Sequence, residues 1–207
     1  MAGDSKWADV SLLIKGNGAD GFTGIYDASI NRKAVTVFGN ASIKTTQSKF
    51  DGSSIYFDGS TSYLTVGSNA DHKYLHDDTT NFVIEGWAYW AGGTRTILST
   101  AAASIDIGIY LGAVVTSGYI NVQIYRGGSG SNLSATSTIG LTLNSWTYFK
   151  FSYTKTTRAY SFRIGSSSAG SGNMTVTGTW PSSNSSNSSY VLAIGRYQYS
   201  TPGDYFN

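Results

Sequence analysis

The stretch KFDGSSIYFDGSTSYLTV, residues 49–66, places an acid in the same setting twice, at Asp51 and at Asp58. Two carboxyls at a fixed separation, one protonated and one ionised, are what glycoside hydrolysis needs. Carboxylate oxygens are also the ligands that calcium takes, six to eight at a time. Asp-Gly is, equally, a dipeptide of tight hairpin turns. The remaining acids argue against hydrolysis. Glu85 is the single glutamate, and Asn81, Val83, Trp87 and Tyr89 are the residues that share its face of an extended strand. No second carboxyl stands in that row, and Asp106 lies on a different strand. Glu85 reads as a hydrogen-bonded structural group on a partly buried strand.

Other nucleophile, metal and phosphate patterns are weaker still. The segment DHKYLHDD, residues 71–78, spaces His72 and His76 four apart among Asp71, Asp77 and Asp78. On a helix that spacing puts two imidazoles on one face, as zinc sites require. There is no HExxH arrangement and no third neutral ligand, so the segment reads as a polar loop with a turn of helix. The serines lack a G-x-S-x-G elbow. GNGADG, residues 16–21, has no Lys-Ser/Thr after its glycines and reads as a turn.

The sharper signal lies on strand faces. In SIDIGIYL the isoleucines 105, 107 and 109 and Leu111 share one side, leaving Ser104, Asp106 and Tyr110 on the other. In YINVQIY, Ile120, Val122 and Ile124 share one side, leaving Tyr119, Asn121, Gln123 and Tyr125. If the two strands are neighbours, Asp106, Tyr110, Tyr119, Asn121, Gln123 and Tyr125 form a face of tyrosines interleaved with amide and carboxylate groups. Sugar rings stack on aromatics and sugar hydroxyls bond planar polar groups. The same composition also suits an ordinary solvent face or a subunit contact, where tyrosine is enriched.

The elements that must position these residues are strands. Period-two alternation recurs in FVIEGWAYW (82–90), WTYFKFSYT (146–154) and RAYSFRI (158–164), with shorter apolar runs at 10–14, 34–38 and 190–194. Charged residues are 13% of the 207, against roughly 25% in an average globular protein, and 25 residues are glycine. That profile disfavours long solvated helices and favours strands joined by polar turns. Two stretches read as loose: 126–137 as a long flexible hairpin loop, and 181–190 as a low-complexity connector. The chain is read as a single all-β domain over 1–207: a two-sheet, antiparallel jelly-roll β-sandwich.

A net charge of +2 with scattered basic residues argues against nucleic acid as a partner. No run of eighteen apolar residues exists for membrane insertion, and the first residues lack the pattern of a Sec-type signal. With no cysteine, neither a disulfide framework nor a thiolate metal site is open to the chain.

Several blocks together carry a family likeness. Val10–Ile14, the turn Asp27-Ala28-Ser29-Ile30-Asn31, the block from Gln47 to Leu64 and the strand from Phe82 to Tyr89 are similar to the V-x-L-L-L, D-x-S-x-N-x-x-x-V, Q-S-K-F-G-G-S-S-x-x-F-D-G-x-x-D-Y-L and F-T-I-E-x-W-x-Y elements of laminin-G-like domains. NSWTYFKFSY (144–153) and YVLAIGRY (190–197) resemble two later strands of the same pattern. The likeness is to the laminin-G-like branch of the concanavalin A-like lectin/glucanase superfamily, in the form carried by bacteriophage virion proteins. It implies a non-enzymatic virion structural or surface-binding module of tail-fibre or capsid-decoration type, with host-surface glycans as ligands. Its partners would be other virion proteins or copies of itself, and its place the virion or extracellular surface after assembly in a host cytoplasm. Alternatives are a jelly-roll glycoside hydrolase and a bacterial extracellular adhesion domain. Several relatives hold calcium near loops at the sandwich edge, which makes Asp58 the candidate ligand. Ser62 stands where the pattern has an Asp, so one ligand position is lost. The pattern also closes on a strand reading roughly G-x-I-D-E-V-R-I, which normally pairs with the opening strand at 10–14. No counterpart follows GDYFN (203–207), so a truncated chain, or a strand supplied by a neighbouring subunit, is expected.

Overall fold

A computed structural model of the protein describes residues 6–93, 95–101, 107–114, 117–127, 132–177, 186–197 and 206. Strands run at β1 (Val35–Phe38), β2 (Ser42–Lys44), β3 (Ser54–Tyr56), β4 (Tyr63–Val66), β5 (Phe82–Tyr89), β6 (Arg95–Ser99) and β7 (Ile107–Ala113). They continue at β8 (Tyr119–Arg126), β9 (Asn132–Gly140), β10 (Trp146–Thr154), β11 (Ala159–Ile164), β12 (Ser167–Asn173), β13 (Thr175–Thr177) and β14 (Leu192–Ile194). The larger sheet has eight strands in the order β1-β4-β14-β6-β7-β8-β9-β13, and the smaller has four, β12-β11-β10-β5. A separate hairpin joins β2 to β3. All pairings are antiparallel. This is a jelly-roll β-sandwich.

Alternation in the sequence becomes the inside and outside of the layers. Thr147, Phe149, Phe151 and Tyr153 of β10 are buried, while the residues between them are half-exposed. Ile120, Val122 and Ile124 of β8 face the same core from the larger sheet, beside Ile109 and Leu111 of β7. Phe151 is fully buried, its ring centroid 5.1 Å from Phe162 and 6.1 Å from Phe82. Burying such a side chain contributes about 1.5–3 kcal/mol before packing is counted. A second cluster of Ile25, Ala41, Ile43, Phe57 and Leu64 seals the end where the β2–β3 hairpin folds over.

Several expectations need correcting. Residues 132–137 are the first part of β9 and pair with β8, so that part of 126–137 is strand rather than loop. Leucine and alanine at 133 and 135 explain it, because both are buried against the core. The 10–14 segment is no strand: its single ladder contact is the bridge from Ile14 to Asp27. Asp27 fastens it instead, accepting from the Leu13 N–H at 3.0 Å, the Ser29 and Lys33 N–H groups at 2.9 Å and the Ser29 hydroxyl at 2.9 Å. Burial pushes the Asp27 carboxyl up, but those hydrogen bonds prevail and hold it below its ordinary range.

The 71–78 segment holds the expected turn of helix, but not as an exposed polar loop. Ala70–Leu75 is a 3-10 helix, and His72 and His76 are buried rather than displayed on a polar loop. The two imidazoles face the carbonyls of Val66 and Ser186, at 3.2 and 3.4 Å, and so tie this helix to β4 and to the segment before β14. Of the 181–190 connector, residues 186–190 are described and carry no strand; the rest lies outside the described residues.

Candidate functional site

The β7–β8 register sets Tyr110 opposite Gln123, Gly112 opposite Asn121, and Gly108 opposite Tyr125. The outward row continues across the sheet, since Ser99 of β6 pairs with Tyr110 and Ser134 of β9 pairs with Gln123. Tyr110, Asn121, Gln123, Tyr125 and Tyr119 therefore do share the outward face of the larger sheet. Asp106 lies outside the described residues.

Small residues make room for the rings. A Cβ placed on Gly112 would lie 2.3 Å from the Tyr110 hydroxyl oxygen and 2.8 Å from the Arg95 carbonyl. The Tyr110 ring thus lies down along its own strand over Gly112, where any other residue would lift it. Its edge meets Tyr197, with centroids 5.1 Å apart and planes at 78°. Asn121 is steered from β9: its Nδ2 donates to the Thr136 hydroxyl at 2.9 Å and to the Ala135 carbonyl at 3.3 Å. The Tyr125 hydroxyl donates to Gln123 Oε1, which orients that amide and leaves its NH2 group to point elsewhere.

The tyrosines differ in availability. Tyr119 is 40% exposed, whereas Tyr125 is only 4% exposed and acts through Gln123 rather than by contact. Tyr110, Asn121 and Gln123 are intermediate. Sequence reading missed the far end of this face. Phe38 and Tyr63 stack there at 4.5 Å with planes 4° apart, and the Arg196 guanidinium sits 4.6 Å above the Tyr63 ring. The pairs Val37–Leu64 and Phe38–Tyr63 turn these aromatics outward because Leu64 is buried. Nothing in the local sequence linked residues 38, 63 and 196, which meet only through the β1-β4-β14 order.

Asp58 fastens the turn that leads into β4. One carboxylate oxygen accepts from the N–H groups of Ser60, Thr61 and Ser62 at 2.8–2.9 Å, and the other accepts the Thr61 hydroxyl at 2.7 Å. Partial burial raises its pKa, yet the four donors outweigh it and hold the carboxyl far below the ordinary range. Asp51 sits at φ 54° and Gly52 at φ 76°, the paired positive values of a two-residue hairpin turn closed by the Phe50–Ser53 bridge. The two acids of 49–66 are thus separate turn devices. No group of three or more His, Cys, Asp or Glu is assembled among the described residues.

Glu85 stands on the outward face of the smaller sheet, half-exposed, where it accepts from the Tyr148 hydroxyl at 2.5 Å and pairs with Lys150 at 3.4 Å. Its hydrogen bonding matches expectation, but its place is an open face rather than a partly buried strand. Burial and then Glu85 push the Tyr148 phenol up to about 12. Trp87 stands beside them, 5.6 Å from Tyr148, with Lys49 Nζ 4.0 Å from its ring centre.

No protein-family model matches the chain, and no curated protein matches it either. Solved structures do. The likeness is one of fold. Botulinum neurotoxin type C, whose cell invasion is described as dependent on two ganglioside molecules, aligns over 98% of this chain at 12% identity with a TM-score of 0.58. This chain spans 45% of that one. The CBM40 of the Ruminococcus gnavus IT-sialidase, bound to α2,3-sialyllactose, aligns over 66% of this chain and 72% of its own, at 11% identity and TM-score 0.47. Domains LG4-5 of the mouse laminin α1 chain align over 62% of this chain and 33% of theirs, at 12% identity and TM-score 0.44.

Proposed function

We propose that the protein is a non-enzymatic binding module that takes glycans on the outward face of its larger sheet, of the type that bacteriophage virion proteins display. The observation that carries the glycan reading is the row Tyr110–Gln123 with Asn121 and Tyr119 beside it on one open face. Ring faces offer stacking to sugar C–H groups, and the oriented amides offer donors and acceptors to hydroxyls. Among the described residues no second carboxyl accompanies Glu85 on its own face: Val83, Trp87 and Tyr89 flank it on β5, and Tyr148, Lys150 and Ser152 face them from β10. That arrangement favours binding over hydrolysis.

The virion reading rests on the QSKF…FDG block and on a composition poor in charge and rich in Ser, Thr, Asn and Gly. On this reading its partners are virion proteins or further copies of itself, and it is displayed outside the cell after assembly inside. No described helix is long and apolar enough to cross a membrane. Calcium, if it serves here, acts at loops around Asp58 and would be felt as chelator sensitivity.

A glycan array that includes sialylated and bacterial surface glycans, run with and without chelator, tests the proposal. Binding retained in chelator supports the tyrosine face acting alone. Flat binding in both arms overturns the glycan reading, and sugar release abolished by Glu85→Gln overturns the non-enzymatic one.

A further inference from the structure

His72 and His76 are 0% and 1% exposed, deeper than any other ionisable side chain among the described residues. Each turns Nε2 to a backbone carbonyl, so the neutral ring carries its proton there and donates it: His72 to Val66 at 3.2 Å, His76 to Ser186 at 3.4 Å. Nδ1 of both rings is buried and has no hydrogen-bond partner among the described residues. A second proton puts a cation and a new N–H group where nothing accepts them, and a buried charge without a partner is far costlier than a neutral ring.

The surroundings do not offset that charge. Facing His72 are the Asp71 and Asp27 carboxylates and the Lys33 ammonium, with the Tyr74 ring centred 6.4 Å away. Both carboxylates are already engaged. Asp71 accepts the Ser68 N–H at 2.6 Å and the Ser68 hydroxyl at 2.8 Å, and Asp27 accepts from Leu13, Ser29 and Lys33. Facing His76 are Asp77, Lys73 and Arg126, and Asp77 pairs with Lys73 at 3.7 Å. β7, which also packs on the helix Ala70–Leu75, brings no carboxylate and no cation. Three acids stand against three cations over the two rings, so burial decides their protonation.

The rings hold a joint. His72 fastens the helix to the end of β4, and His76 fastens it to 186–188, where Asn69 also donates to the Ser188 carbonyl at 2.8 Å. The buried Ser188 hydroxyl donates in turn to the Thr100 carbonyl. Thr100 is bonded twice to Ile109, the residue before Tyr110: its N–H donates to the Ile109 carbonyl at 2.8 Å, and its hydroxyl accepts the Ile109 N–H at 2.9 Å. From 188 the chain runs into β14 and on to Tyr197, whose edge meets the Tyr110 ring. The geometry points to an acid-sensitive latch: protonation of His72 and His76 releases 66–76 together with 186–194 from the larger sheet, while the core between the two sheets stays closed. The latch is shut above about pH 6.5 and opens as pH falls below it. Its effect on a ligand, through the Tyr110–Tyr197 contact, rests on the glycan reading; the latch itself does not.

Native amide exchange at pH 7.5 and pH 5.0, each corrected for intrinsic exchange at that pH and run without ligand, tests the latch. Protection of 66–76 and of 186–194 should fall about tenfold or more on acidification, while Phe149–Tyr153 of β10 stays within about twofold. In a His72→Gln, His76→Gln variant an amide still faces each carbonyl but does not titrate, and protection should be the same at both pH values. NMR titration of the two imidazoles in the unmodified protein needs no variant to fold: ring protonation and loss of protection should share one midpoint below pH 6.5. Unchanged protection at pH 5.0 overturns the proposal, and so does an equal fall in β10 or in the folded Gln variant. Imidazoles that titrate while 66–76 and 186–194 stay protected overturn it as well. Opening of the latch beside a flat glycan array supports the latch and overturns only the glycan reading.

Discussion

The two outward faces of the sandwich are both aromatic, yet they are built in opposite ways. On the larger sheet, Tyr110, Asn121 and Gln123 are held by neutral neighbours: Gly112 beneath a ring, Thr136 beside an amide, Tyr125 beside another. On the smaller sheet the polar groups answer one another. Glu85 takes Tyr148 and Lys150, and Lys49 covers the ring of Trp87. An aromatic count would rank the second face higher, with Trp87 40% and Phe50 60% exposed. The uncharged amides of Asn121 and Gln123 suit a neutral polyhydroxylated ligand better than the charges of Glu85, Lys150 and Lys49 do.

The faces share one core, so the largest expected effect falls on both together. Phe151→Ala should cost about 3–5 kcal/mol in urea unfolding, because the ring packs between Phe82 and Phe162 and leaves a cavity. Next comes Gly112→Val, which forces the Tyr110 hydroxyl and the Arg95 carbonyl away from a new Cβ. Its destabilisation should be about 1–3 kcal/mol, with glycan binding lost beyond what stability explains. If binding survives that change, the Tyr110 end of the face is not the contact surface.

Asp58→Ala removes an acceptor from three N–H groups and one hydroxyl, and a thermal melt should show about 1–3 kcal/mol of destabilisation. A further drop of similar size on adding chelator to the unmodified protein would instead assign the carboxylate to calcium.

Acid should act in two steps. Burial lowers both His72 and His76 below their ordinary 6.5, so the folded state holds them neutral while the unfolded chain binds protons more readily. Stability is therefore full above about pH 6.5 and falls as pH drops below it. Asp27, Asp58 and Asp71 are lowered from 3.8, so their contribution is lost only below that value. Loss of the first step in a His72→Gln, His76→Gln variant, read by melts at pH 5 and pH 7.5, would confirm the assignment. The smallest effect belongs to Tyr119→Ala, which should move stability by less than about 0.5 kcal/mol while weakening glycan binding.

Much of this was legible in sequence, for a stated reason. Period-two patterning marks inside and outside directly, so the sandwich and the shared face of residues 110–125 followed from alternation in β7, β8 and β10. Asp51-Gly52 was readable because two successive positive φ values demand such a pair. What escaped depends on contacts between distant segments. The burial of His72 and His76 comes from carbonyls at 66 and 186. Phe38, Tyr63 and Arg196 meet only through strand order. The strand-like alternation of 132–135 was hidden by the glycines and serines that precede it.

The central claim is that the neutral tyrosine–amide face, not the tryptophan face, binds glycan. Isothermal titration of one array-positive oligosaccharide against Gln123→Ala and Trp87→Ala tests it most directly. Gln123→Ala should weaken binding tenfold or more while Trp87→Ala leaves it within twofold; the reverse order would contradict the account.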